Sequence, residues 1–116
     1  MSVLNKLGEI LVAPLADESF GVRSMCTYVE TPDVRILVDP GVSLGPRFAL
    51  APHPNEYRAL MESRSRIEEF ADRAEVVTIS HYHFDHASPA YTDYVWHWSS
   101  LGSAKRIYQR KLVLAK

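Results

Sequence analysis

The sequence predicts an α+β domain, on three observations. Two short β-branched runs flank a Thr31-Pro32-Asp33 turn, a long helical pattern occupies the middle of the chain, and another apolar run stops at the cluster His81-Tyr82-His83-Phe84-Asp85-His86. Its 116 residues suit one domain or part of one, with 47% hydrophobic and 23% charged residues, an ordinary globular balance. The formal charge of -1 provides no global field to hold nucleic acid or an anionic membrane.

Taken in order, residues 9–15 read as a first strand and 16–24 as a loop turning at Gly21. Residues 25–30 and 34–38 form a hairpin across the 31–33 turn. Cys26, the only cysteine, excludes an internal disulfide, fits a reducing compartment and reads as a small buried hydrophobe. Residues 39–54 hold four of the seven prolines and predict a long irregular loop, a kind that is commonly functional.

Asn55 can cap a helix running to Arg73, with a break at 63–65. Leu60, Ile67, Phe70 and Ala71 give it an inward stripe. Glu62 with Arg66 and Glu69 with Arg73, four apart, mark a solvated face. Residues 76–80 are a buried strand by composition, 103–108 a short helix and 111–115 a last strand. The first residues show no basic segment followed by an apolar stretch, since Lys6 and Glu9 interrupt it, and no apolar run approaches the ~18 residues of a membrane span. The expectation is a cytoplasmic protein without membrane attachment.

The chemistry concentrates at one strand end. Three of the five histidines lie between positions 81 and 86, with Asp85 among them. Such donors suit borderline divalent metals, and crowding them at a core edge for packing alone would be costly. Alternate residues of an extended segment share a face, so His81 and His83 can approach one ion. After a turn through Phe84, Asp85 and His86 can approach a second. The expected cofactors are two divalent metals, zinc first, with manganese or iron accepted by the same donors.

The motif His-x-His-x-Asp-His after a buried strand, preceded by Ile36-Leu37-Val38-Asp39-Pro40-Gly41, resembles the metallo-β-lactamase superfamily. The runs Glu18 to Ser24, and Asp39-Pro40-Gly41 through Gly45-Pro46-Arg47, resemble an uncharacterised archaeal metallohydrolase-like branch. The resemblance implies the N-terminal half of an αβ/βα sandwich, a mixed sheet with flanking helices, so that residues 1–116 are a single partial domain. It implies that His81 and His83 bind the first metal, that Asp85 and His86 bind the second, and that Asp39 supports the loop by hydrogen bonds. On local sequence alone Asp39 also fits an ordinary turn before Pro-Gly.

The superfamily adds a further His, a bridging Asp and a last His from later in the fold. After His86 this chain has only Asp93 and His97, too close to the loop, and His97 reads as part of an aromatic cluster with Trp96 and Trp98. Two protein donors per ion fall short of the three usual at catalytic zinc. The expectation is a metal-dependent hydrolase that is incomplete, inactive or weakly metal-binding as this chain, completed by a missing C-terminal half or a partner chain.

Its substrate, a small molecule or phosphoester, is unspecified. Arg23, in a loop near the metal face of the resembling fold, is a candidate anion clamp, against a surface residue or a partner for Glu18; His53 is a weaker candidate for approaching the site. Two other classes compete. A nucleic-acid-processing nuclease would use the basic end Lys105, Arg106, Arg110, Lys111 and Lys116, although the acidic balance makes nucleic acid an unfavoured partner. A non-catalytic metal-binding or interaction module would dock a partner chain on an exposed apolar face.

Overall fold

The computed structural model describes residues 5–45 and 51–115. Pro46 and Arg47, in the loop that carries the resemblance, and Lys116 of the basic end lie outside the described residues. Six strands form one mixed sheet in sequential order: β1 (Asn5–Leu7), β2 (Ile10–Ala16), β3 (Cys26–Glu30), β4 (Arg35–Val38), β5 (Val76–Ile79) and β6 (Leu112–Ala115). The first three pairings are antiparallel, whereas β4, β5 and β6 run parallel. Together with α1 (Pro54–Ala71) and α2 (Leu101–Tyr108), this is the expected α+β class. β1 was not expected.

The hairpin β3–β4 forms around Thr31, whose side chain accepts from the Asp33 and Val34 amides at 3.2 and 3.1 Å. The pairing of β2 with β3 shifts register between Pro14 and Ala16. A proline, which donates no ladder bond, is tolerated at such an irregularity. The core lies between sheet and helices: Ala13, Leu15, Tyr28, Leu37 and Val77 from the strands meet Leu60, Ile67, Phe70 and Ala71 from α1, with Ile107 from α2. Tyr28 and Phe70 touch with ring centroids 5.0 Å apart. Burial pushes the Tyr28 hydroxyl up to about 12, helped by its bond to Glu30. Cys26 is buried as expected, and burial drives its thiol well above the ordinary range.

The helix differs from the expectation in three respects. Its cap lies two residues earlier, at His53, whose ring accepts from the Asn55 amide at 3.1 Å while Glu56 receives the His53 amide at 2.6 Å. That reciprocal cap gives His53 a structural role in the helix start. Next, α1 runs unbroken through 63–65, because Ser63 and Arg64 turn inward. Finally, the charged residues are not all a solvated face. Arg64 is only 2% exposed, and Arg66 bonds the Leu15 carbonyl at 2.8 Å and covers the Phe20 ring instead of pairing with Glu62. Glu69 and Arg73 do approach, at 3.9 Å. Among the described residues no helix is long and apolar enough to cross a membrane.

Candidate metal centre

Strand direction places the site. β4 and β5 are parallel neighbours, with Val38 abreast of Thr78, so the segments that follow them emerge at the same edge of the sheet. Carboxyl ends of parallel strands are where open sheets gather ligand groups. The antiparallel partner β3 begins at this edge, bringing the 17–25 loop there as well. Ser24 Oγ fixes that convergence by donating to the Gly41 carbonyl at 2.5 Å.

Asp39 is the tie between the two strand ends. Its amide donates to the Thr78 carbonyl at 2.8 Å. Its carboxylate accepts the Ser80 amide at 2.7 Å and the Ser80 hydroxyl at 2.8 Å, and lies 3.1 Å from His86 Nδ1. Burial pushes this carboxyl upward, but the Ser80 and His86 bonds outweigh it and hold it below the usual value. The backbone at Asp39 is left-handed, with φ 48°, a region that Asp and Asn enter more readily than other side chains. Ser80, which sequence reasoning took only as a strand residue, is thus a second element of the support. Position next to His81 is its only signal in the sequence.

Gly41 explains why the His loop can sit so low. A Cβ there would come within 2.6 Å of the His86 backbone and 2.5 Å of the Ala87 nitrogen. Only glycine lets these two loops meet. Beneath them, Ser88 Oγ donates to the Pro40 carbonyl at 2.5 Å and accepts from the Arg64 guanidinium.

The loop gathers its imidazoles. The His81 ring lies 3.9 Å from His86 and 4.9 Å from His83, centroid to centroid, and Asp85 approaches His86 Nε2 at 3.6 Å. His81 Nδ1 is 3.0 Å from Ser80 Oγ. His86 is buried, whereas His81 and His83 are exposed. Imidazole and carboxylate together are the right donor types for a borderline divalent ion. Their number and placement are not sufficient: among the described residues no group of three or more His, Cys, Asp or Glu is arranged to hold a metal ion. The donors fit such an ion in kind but require further ligands.

His97 packs against Phe84 and Tyr91 at 5.2 and 6.2 Å, and its Nδ1 is buried without a hydrogen-bond partner. Burial pulls its pKa below the ordinary value. Asp93, 3.9 Å from His97, is engaged by the Val95 and Trp96 amides at 2.7 and 2.9 Å. Arg23 is exposed at the opposite loop; it pairs its backbone with Ser43, and no carboxylate, Glu18 included, pairs with its guanidinium among the described residues.

Residues 20–91 match the profile of the metallo-beta-lactamase superfamily. The chain belongs to that superfamily. It is also 54% identical over 106 residues to a UPF0282 protein of Methanopyrus kandleri, covering 90% of this chain and 36% of that protein. Identity is 48% to the UPF0282 proteins of Methanocaldococcus jannaschii and Pyrococcus horikoshii, at 36% and 34% of their lengths. The chain therefore spans about a third of the length of these relatives. No solved structure matches it significantly.

Proposed function

We propose that this chain carries one half-set of ligands of a metal-dependent hydrolase. His81 and His83 would hold one divalent ion, Asp85 and His86 a second, with zinc the first choice and manganese or iron compatible with the same donors. The single observation behind the reading is the convergence of three imidazoles at the end of β5, braced from below by Asp39. The remaining ligands would come from polypeptide corresponding to the other two-thirds of the relatives, or from a partner chain.

The chemistry such ions supply when bound is Lewis acidity and the acidification of water near neutral pH. The chain's own contribution is positional. Asp39 fixes Ser80 and the His86 ring, so that donor is oriented before any ion arrives, and outer partners of this kind commonly alter metal affinity about 10- to 100-fold. The nuclease reading draws less support. Arg106 is taken up by Glu68 and Asp72 at 2.8 and 2.7 Å, and Lys111 donates to the Ala71 and Arg106 carbonyls, which engages two of the five cations of the basic end within the chain itself.

Zinc titration by calorimetry is the test. The 116-residue chain is expected to give weak, unsaturated binding that His81→Ala and His83→Ala each diminish. Two tight sites on this chain would overturn the proposal of shared ligands, and binding indifferent to both substitutions would remove the loop from it.

A further inference from the structure

Beside the His loop lies a cavity of about 590 Å³, walled by three segments: Arg23 with Ser43 and Leu44 on one side, residues 82–85 on another, and Trp96 with His97 on the third. Among the described residues, its lining combines one unpaired cation, Arg23, with flat rings. From this we infer that the cavity binds the substrate by an anionic group attached to a planar apolar body, the anion on Arg23 and the ring among Phe84 and Trp96. The inference rests on the hydrolase reading, because His83 and Asp85 belong to the same wall.

Arg23 is held in place for such a role. Its amide donates to the Ser43 carbonyl at 2.8 Å, and the Ser43 amide donates back at 3.0 Å. The side-chain stem lies against Gly45, where a Cβ would stand 3.2 Å from Arg23 Cδ. Arg23 is fixed at its backbone, packed along its stem and left without an anion among the described residues. The guanidinium offers a planar fork suited to carboxylate or phosphate. The one carboxylate in the wall, Asp85, is turned toward His86 Nε2 at 3.6 Å.

The aromatic side is equally specific. Phe84 is 41% exposed, and the Tyr91 and His97 rings stand nearly perpendicular to its own, with centroids at 5.6 and 5.2 Å. A large apolar ring set in an aromatic cluster and presenting that much surface is a platform for a flat ligand.

An NMR titration of the chain in chelator, so that no metal contributes, would test this with four probes: phenyl phosphate, benzoate, inorganic phosphate and benzyl alcohol. At least one aryl anion is expected to shift the amides of Ser43, Leu44 and Phe84, and to bind roughly tenfold tighter than either inorganic phosphate or benzyl alcohol. Whether phenyl phosphate or benzoate leads identifies the anion. Arg23→Ala is expected to remove roughly that tenfold preference over the neutral alcohol, and Arg23→Gln, which keeps the stem on Gly45, provides the same reading if the alanine variant unfolds. Benzyl alcohol binding as tightly as the aryl anions, or aryl anions binding unchanged in both variants, would overturn the inference. Its failure is separable from that of the hydrolase reading: zinc binding that needs His81 and His83 without Arg23-dependent aryl-anion binding removes only the substrate class, and the reverse pattern removes only the metal chemistry.

Discussion

Asp39 concentrates the energetics of the site in one side chain. Three donors reach its carboxylate, two of them from exposed Ser80 and one from buried His86, and a buried donor that loses its acceptor retains its desolvation cost without compensation. Asp39→Ala would strand the buried His86 ring, leave Ser80 to water and also place alanine at φ 48°, for an expected loss of about 2–4 kcal/mol in urea denaturation. Asp39→Asn tolerates the dihedral and keeps one acceptor oxygen, so about 1 kcal/mol is expected. Equal losses in the two variants would show that charge, and not the bonding pattern, is what matters here. The four donors of the His loop and Asp39 itself were legible as residue types in a short segment. Ser80 and Arg64 were not, since a serine at a strand end and an arginine in a charged helix carry no periodic signal; their roles arise only when two distant strand ends are brought abreast.

Among the elements, α1 and the 92–98 loop are joined by a buried cation. The Arg64 guanidinium bonds the His97 carbonyl at 2.9 Å as well as Ser88, its Nε has no partner, and burial lowers its pKa to about 10. This explains why the helix continues where serines suggested a break: Ser63 is buried and Arg64 is fastened by tertiary bonds that local propensity does not register. It also places a cation near His97, adding to the effect of burial, while Asp93 and Asp85 oppose both. His97 therefore resists protonation in the folded state. The unfolded chain takes up its proton near pH 6.5, so this contribution to stability is complete above that value and erodes as the pH falls through it. Urea midpoints measured from pH 7.5 down to 5.5 should decline more steeply for the wild type than for His97→Phe, which has no group to titrate. Parallel curves would refute this assignment.

Across the whole molecule, the sheet ends in an edge that is difficult to reconcile with isolation. β6 pairs with β5 on one side only, and Leu112, Val113 and Leu114 are 60%, 39% and 52% exposed. Successive strand residues point to opposite faces, so apolar surface is open above and below. A parallel strand apolar on both faces is the pattern of a covered one, and an open apolar edge invites pairing. The sequence revealed the strand but not its exposure, because composition alone reads 111–115 like any interior run. The relatives are about three times as long as the matched segment, and polypeptide of that extent is the expected cover. The 116-residue chain should accordingly self-associate, with light scattering showing mass that rises with concentration. Leu112→Lys with Leu114→Lys places charge along one face of the edge and should shift the distribution toward monomer. A wild-type chain that stays monomeric across the concentration range would mean that β6 tolerates water as it stands, and would remove the edge as a docking place for further polypeptide.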